Sequence, residues 1–335
     1  MDVLQPTAVA ENKTALSGAE TFIRVVEVWV PDKDGALLVL GSAWYGAAKH
    51  FGLQSRHMCF GRGEGLPGQA WESRRPVVLK QFEGSAFRRT SAAHADGLTC
   101  GIALPVFKGE ALQAVVLIFC GDSPEEERHQ AGAIELWRNE PTASKDLVLD
   151  DGYYGTTSNV FEFISRRTAF RKGHGLPGLA WEAGLPVFLE DLGKGGRFLR
   201  ADSALKVGIN RGFAIPCACA DGNIYVMAFL SALATPLVRR FETWLPDPEG
   251  RYLLRSEGFC EFAGTLDTGR PEDRVGSGQG VMGQALASGE PGVSEQAASE
   301  AGGVGAGARA AGLQTVVALP VLHGARTAAV VAWYF

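Results

Sequence analysis

The sequence has few of the residues that build metal sites, disulfide frameworks or nucleic-acid surfaces. Its 335 residues include six cysteines and six histidines. No two cysteines form a CxxC pair, which argues against a zinc site or a disulfide framework, and we expect all six to be reduced. No run of five basic residues occurs, and the net charge is −5 with a pI near 5.8. The sequence therefore predicts no general electrostatic attraction for nucleic acid.

Long apolar segments are also lacking. No stretch is long enough to span a bilayer, and no signal peptide precedes the first strand pattern. The 46% hydrophobic and 21% charged fractions are ordinary for a globular protein. We therefore expect a cytoplasmic protein with no membrane partner.

What the sequence does contain is one pattern written three times. GRGEGLPGQAWESRRPVVL (61–79) returns as RKGHGLPGLAWEAGLPVFL (171–189) and, with more changes, as GSGQGVMGQALASGEPGVS (276–294). Self-similarity at a fixed period indicates repeated structural units. The predicted division is a loose arm (1–17), unit one (18–121), unit two (122–231) and unit three (232–335), with no chain left over for another domain.

Each unit is predicted to be α+β, with a mostly antiparallel sheet flanked by helices. Alternation of apolar residues indicates a first strand over 21–30. The LPG motif indicates a helix of about two turns, which Gly184 and Gly289 would end in the left-handed conformation. A variable crossover follows, and two apolar runs joined by a short turn close each unit as a hairpin.

The glycines of the repeat also match the dinucleotide fingerprint GxGxxG, first as Gly63, Gly65 and Gly68. That fingerprint requires a buried parallel strand and a long crossover helix. Here the predicted helix is too short for a βαβ crossover. We therefore interpret the glycines as serving a tight turn between a strand and a helix.

The order of strand, GxGLPGxAWExGxPV motif, crossover, ALPVF motif and hairpin resembles the GAF domain. The resemblance extends over residues 20–335 as three tandem copies. The third copy is degenerate, because Val281 and Met282 replace Leu-Pro and Leu286 replaces the tryptophan. The resemblance implies a central antiparallel sheet, a small-molecule pocket between the sheet and the crossover, and regulation of a partner module.

The signatures of known GAF subclasses are incomplete in this sequence. The cyclic-nucleotide set is represented only by Lys80, Phe87 and Asp96. The Cys-His dipeptide that attaches bilins does not occur. Free-methionine-sulfoxide reductases carry several cysteines around the pocket, but Cys59, Cys100 and Cys120 do not match a known spacing, so a thiol-dependent enzyme stays open as an alternative.

The crossovers and the first strands supply the candidate site residues. An arginine beside an aromatic ring suits an anionic or planar ligand, although a solvent-exposed helix face would show the same residue types. Glu27-x-Trp29 and its repeats share one strand face, where they either line the pocket floor or place the tryptophan under a helix and the glutamate in solvent. The candidate ligand-binding residues are Phe87, Arg88, His94, Asp191, Phe198, Arg200, Trp29 and Trp137.

These patterns predict a sensor of an unidentified small molecule that has no catalytic activity, cofactor or metal. We expect the ligand in unit one or two and a structural role for unit three, because the crossover of unit three has no aromatic residue and a single arginine, Arg309. No kinase, cyclase or DNA-binding module is encoded, so the output would belong to a partner signalling protein. A ligand-free interaction scaffold remains the main alternative, and the sequence leaves a homo-oligomer open.

Overall fold

The structure is a computed structural model that describes residues 21–121, 132–155, 157 and 159–335. The predicted arm at 1–17 lies outside these residues. Within the described residues every strand pairing is antiparallel, and each unit has its own sheet. The predicted α+β class with three GAF-like sheets is therefore confirmed.

Units one and two have the same order of elements. Unit one consists of β1 (Ile23–Pro31), β2 (Leu37–Trp44), α1 (Lys49–Ser55), β3 (Cys59–Gly61), α2 (Gly65–Ser73), β4 (Val77–Leu79), α3 (Thr90–Ala95), β5 (Cys100–Lys108) and β6 (Ala111–Cys120). Unit two consists of β7 (Gly132–Asn139), β8 (Asp146–Tyr153), α4 (Asn159–Ser165), β9 (Ala169–Arg171), α5 (Gly175–Ala183), β10 (Val187–Leu189), α6 (Ala201–Lys206), β11 (Ile209–Cys217) and β12 (Ile224–Ala232). The sheet orders are β3-β2-β1-β6-β5-β4 and β9-β8-β7-β12-β11-β10.

Unit three keeps the plan but changes its edges. It consists of β13 (Arg240–Pro246), β14 (Tyr252–Cys260), β15 (Gly264–Thr265), β16 (Arg274–Gly276), α7 (Gly280–Ser288), β17 (Gly292–Ser294), a 3₁₀ turn (Ala297–Ser299), α8 (Gly302–Ala311), β18 (Val316–His323) and β19 (Arg326–Tyr334). Its sheet runs β15-β14-β13-β19-β18-β17, with β16 paired to β14.

The repeated glycines have the structural role that the sequence indicates. A Cβ atom on Gly68 would lie 2.1 Å from the carbonyl oxygen of Gly61, and one on Gly178 would lie 2.2 Å from that of Arg171. The helix backbone therefore touches the preceding strand, and only glycine permits this approach. The short helix and antiparallel strands exclude a dinucleotide-binding βαβ unit at these positions.

The end of the repeated helix is also as predicted. Gly184 and Gly289 have φ of 61° and 79°, and Arg74 holds the same left-handed conformation at φ 58°. We expect Gly184→Ala to lower the free energy of unfolding by about 1 kcal/mol, since the added Cβ strains the backbone but meets no neighbour within 4 Å. Urea denaturation measures this. Gly184→Asn should cost less, because asparagine tolerates this conformation better, and equal losses would contradict the explanation.

The three sheets surround a common apolar core. Strands β5, β11 and β18 hold the same place in their units and contact one another pairwise. Trp333 lies at the centre, with its ring centre 6.1 Å from that of Phe213 and 5.4 Å from that of Phe229. Each unit contributes to this central core, which includes Ile102, Leu104, Val116, Met227, Phe241, Leu319 and Val331.

The seams between units close a ring. Strand β4 of unit one contacts β8 of unit two, and β17 of unit three contacts β2 of unit one. At the remaining seam, Phe188 of β10 lies 5.3 Å from Phe259 of β14, measured between ring centres. The units thus meet head to tail around an approximate threefold axis, the heterologous arrangement that a closed ring requires.

The other face of each sheet packs under its own helices, which gives one further core per unit. The closing strands are therefore buried on both faces, and eight of the nine residues of β5 are buried. This explains why the closing segments are continuous apolar runs without alternation.

Candidate functional site

The first strand of unit one carries a buried carboxylate between the sheet and the crossover. Glu27 is fully buried and accepts hydrogen bonds from Trp29 Nε1 at 2.9 Å and from the Tyr45 hydroxyl at 3.1 Å. Arg89 Nη1 donates to Glu27 Oε1 at 2.6 Å and also to the Ser55 hydroxyl. The tryptophan lies under the helices, as one interpretation predicted, but the prediction that the glutamate reaches solvent is wrong.

Aromatic rings enclose the Arg89 guanidinium. Its central carbon lies 4.2 Å from the ring centre of Phe51 and 5.5 Å from that of Phe87. Stacking on a ring face attracts a guanidinium. The rings of Trp29, Phe60 and Phe119 complete the enclosure at 5.4–5.9 Å. The space between the sheet and the crossover of unit one is therefore filled by the protein's own arginine.

Unit two repeats this arrangement. Arg200 donates to both oxygens of Glu135, at 2.6 and 2.7 Å, and to the Ser165 hydroxyl. Trp137 Nε1 and the Tyr154 hydroxyl donate to the same carboxylate at 3.1 and 3.0 Å. Burial alone would raise the pKa of Glu135, but the Arg200 charge and these hydrogen bonds outweigh it and lower the pKa. Glu135 is therefore a buried carboxylate held in its charged form.

Unit three satisfies the matching carboxylate in another way. Glu242 accepts hydrogen bonds from Trp244 Nε1 at 3.0 Å and from the Tyr334 hydroxyl at 2.6 Å. Its cationic partners are Arg240 on the same strand and Arg255 on β14, rather than an arginine from the crossover. In strand register, the place of Tyr45 and Tyr154 is taken by the small residue Cys260.

These replacements leave a cleft between the sheet and α8 of unit three. Its volume is about 800 Å³, within the range of small-molecule sites. Helix α8 lines it with Gly303, Ala306, Gly307, Ala310 and Ala311, and Arg309 is the one large side chain that α8 adds to the lining. Because α8 adds no apolar side chain larger than alanine to this lining, the crossover of unit three stands open where those of units one and two are filled.

The cleft combines positive charge with apolar wall. Among the described residues five arginines and three carboxylates line it, so arginines outnumber carboxylates even with the buried Glu242 included. Arg255 bridges Glu242 and Asp273, and Arg270 pairs with Asp267. Arg309 donates to the Ala298 carbonyl, and no carboxylate pairs with it among the described residues. Apolar contact would come from Phe262, Leu266 and Leu313. The arrangement suits an anionic molecule with an apolar body.

The residues predicted from the sequence divide into two groups. Phe87, Phe198, Trp29 and Trp137 are buried core residues around the two arginines, and Arg200 is itself buried. The remaining three are at the surface in ion pairs: Arg88 with Glu64, His94 with Glu83, and Asp191 with Lys194. The structure brings the first group together around Glu27 and Glu135 and leaves the second group outside. Whether any of them binds a ligand stays a prediction.

Sequence reasoning missed three arginines. Phe87-x-Arg89 is in register with Phe198-x-Arg200, so a strict alignment would have selected Arg89 rather than Arg88 as the partner of Arg200. Arg240 and Arg255 had no comparable signal, because they come from strands and replace a crossover residue of the other units.

Of the six cysteines, Cys260 alone lines the unit-three cleft. All six are free, and Cys100 and Cys120 face the central core, where both are fully buried. Burial raises the pKa of the Cys100 thiol, which favours its unreactive form. Within the described part of the chain no group of histidine, cysteine and acidic residues is placed to bind a metal, and no helix is long and apolar enough to cross a membrane.

Comparison with known proteins places this fold in a family. Residues 13–136 match the model of the GAF domain. No curated protein matches the chain. The chain is similar to the solved Nlh2 GAF domain from A. aeolicus, with 21% identity, coverage of 35% of this chain and 79% of that one, and a TM-score of 0.24.

Two other solved structures show comparable likeness. A GAF domain/HD domain protein from Geobacter sulfurreducens has 14% identity, coverage of 36% and 76%, and a TM-score of 0.25. The free methionine-R-sulfoxide reductase from Neisseria meningitidis has 17% identity, coverage of 31% and 53%, and a TM-score of 0.23. Residues 13–136 belong to the GAF domain family, and the two later units repeat the same sheet order.

Proposed function

We propose that the protein is a non-catalytic sensor whose small-molecule ligand binds in the cleft of unit three. The observation that carries this proposal is the contrast between the units. The crossovers of units one and two are filled by Arg89, Arg200 and their aromatic neighbours, whereas that of unit three leaves about 800 Å³ open. The output through a partner signalling chain and the cytoplasmic location remain part of this proposal.

The ligand class follows from the lining. Excess arginine charge favours an anion, and the small-residue face of α8 favours a flat body that slides against it. A small organic acid with an aromatic or aliphatic body meets both conditions. This proposal differs from the sequence prediction that unit one or two holds the ligand, and an experiment can separate the two.

We expect anilinonaphthalenesulfonate, an aromatic sulfonate, to bind wild-type protein with a single saturable fluorescence change. Ala306→Phe should abolish binding by filling the cleft. Arg309→Ala should weaken it about tenfold through loss of a charge-assisted contact. Arg56→Ala is the matched control, since Arg56 is an exposed arginine near the end of α1. Thermal melts verify that each variant is folded.

The same titration tests the alternatives. If Arg88→Ala weakens binding and Ala306→Phe does not, the ligand belongs to unit one as the sequence predicted. If native mass spectrometry of freshly purified protein finds no bound compound and the sulfonate does not bind, the scaffold interpretation replaces the sensor. The buried Cys100 does not favour the reductase alternative, and Cys100→Ser is expected to leave sulfonate binding unchanged.

A further inference from the structure

One wall of the unit-three cleft also forms part of the seam with unit two. This wall is the segment 260–266, an edge hairpin that ends in the two-residue strand β15. Cys260, Phe262, Ala263, Thr265 and Leu266 line the cleft. Between them Glu261 forms a salt bridge across the seam with Arg211 of β11, and both side chains are about nine-tenths buried.

A second contact joins the wall to unit two. The Thr265 hydroxyl donates to Glu190 Oε2 at 3.2 Å, and Glu190 directly follows β10 of unit two. The Arg211 guanidinium also stacks over Phe259, with its central carbon 4.6 Å from the ring centre. The wall is therefore attached to unit two at both of its ends.

This attachment exists at one seam of the three. In strand register Glu261 corresponds to Gly46 and Gly155, which have no side chain to reach across a seam. Its partner Arg211 directly precedes Gly212, and in the matching strand of unit one Cys100 directly precedes Gly101. Cys100 therefore holds the position of Arg211 in unit one, and it is apolar in character. A charge pair thus replaces neutral residues on both sides, at the seam beside the open cleft.

The wall has few contacts within its own unit. It lies at the outer edge of the sheet, where β15 pairs only with the end of β14. Its other backbone hydrogen bonds run from Glu261 N to Arg239 O at 3.0 Å, from Ala263 N to Cys260 O at 3.0 Å and from Leu266 N to Gly258 O at 2.9 Å. Gly264 at its tip has φ of 77°. An edge hairpin of this kind opens more easily than the sheet interior, so its position depends on what touches it from either side.

We infer that unit two senses occupancy of the unit-three cleft through this wall, an inference that rests on the proposed function. A ligand orders the wall from the cleft side, and Arg211 and Glu190 order it from the other side. Each interaction lowers the conformational entropy that the other must remove. The two are then linked thermodynamically, so the seam strengthens ligand binding and the ligand strengthens the seam by the same factor.

The test uses the full chain and anilinonaphthalenesulfonate as the probe. Glu261→Gln and Glu190→Ala should each raise the dissociation constant, by about fivefold or more for Glu261→Gln, although neither residue lines the cleft. In wild type, saturating probe should slow hydrogen exchange in the unit-two segment 190–211. Glu261→Gln should lose this protection. Arg75→Ala removes the Arg75–Asp150 ion pair at the seam between units one and two, and it should leave both measurements unchanged.

Two results would overturn the inference and they are distinguishable. If Ala306→Phe blocks the probe but Glu261→Gln and Glu190→Ala bind it as wild type does, with no protection of 190–211, the cleft is a binding site without coupling to unit two. If Ala306→Phe leaves probe binding intact, the proposed function fails and the coupling fails with it. Because Glu190→Ala removes one exposed hydrogen bond from the unit-two side, it keeps the test valid even where Glu261→Gln loosens the fold.

Discussion

Arg200→Ala is expected to lower the free energy of unfolding at pH 7 by about 3–5 kcal/mol, because it leaves a buried carboxylate without its cation. Glu135 is fully buried, and Arg200 contributes two of its hydrogen bonds. The remaining donors, Trp137 and Tyr154, cannot neutralise the charge. Urea denaturation of wild type and variant measures the loss, and Arg197→Ala, an exposed arginine three residues earlier, should change stability by less than about 0.5 kcal/mol.

The pH dependence identifies the cause of this loss. In wild type the pKa of Glu135 is lowered. The carboxylate therefore stabilises the fold at pH values above the ordinary pKa of glutamate, and this contribution is lost as the pH falls through the pKa of the folded state. In Arg200→Ala, burial without the guanidinium should raise that pKa above its unfolded value. The penalty then disappears as acid protonates the carboxylate, and the two stability curves should converge toward low pH.

A chemical rescue completes this test. Methylguanidinium at millimolar concentration should raise the melting temperature of Arg200→Ala by binding in the vacated space, since a ligand of the folded state stabilises it. Wild type should not respond, because its own arginine occupies the space. A pH-independent loss without rescue would show that Arg200 acts only through packing.

Trp333→Ala should cost about 3–5 kcal/mol, the range for truncating a large buried aromatic residue. Trp333 is fully buried where the three sheets meet, against Phe213 and Phe229 of unit two. Because every unit packs on the same core, the loss should affect the whole ring rather than unit three alone. Hydrogen exchange should therefore speed up in β5 and β11 as well as in β18, and urea unfolding of wild type should be a single transition.

The Trp333→Phe variant provides the matched control. The indole Nε1 of Trp333 has no hydrogen-bond partner among the described residues, and an unsatisfied buried donor costs about 1–3 kcal/mol. Phenylalanine removes this donor together with some apolar surface, so the two effects oppose each other and the net change should be small. If Trp333→Ala accelerates exchange only within unit three, the units are independent domains and the common core contributes little.

Much of each unit could be predicted because it depends on local chemistry. The close approach of helix and strand requires glycine at Gly68, Gly178 and Gly283, and the left-handed helix ends favour Gly184 and Gly289. These are backbone requirements within a short stretch of chain, so they recur at a fixed spacing. The triple repeat, the antiparallel hairpins and the GAF resemblance all follow from such local signals.

The site was only partly predictable. The sequence identifies Trp29, Trp137 and Arg200 as notable residues, but not that Arg200 meets Glu135 across 65 positions of chain. Side chains that meet across the fold leave no periodic signal. Arg88 and Arg89 are adjacent and chemically identical, and only the fold shows that one is exposed and the other enclosed by aromatic rings.

By itself, the sequence determined the repeated unit, its antiparallel sheet and the turns that hold its helix against the strand. Only the tertiary structure shows that the three units close into a ring. A continuous apolar strand in the sequence indicates burial on both faces, but it does not indicate which unit packs against it. It also decided which crossover is open. The small residues of α8 predicted little apolar surface for a lid. Whether they leave an open cleft depends on the side chains that lie opposite them. In unit three that is a set of strand arginines and Cys260, and the space they leave is the cleft.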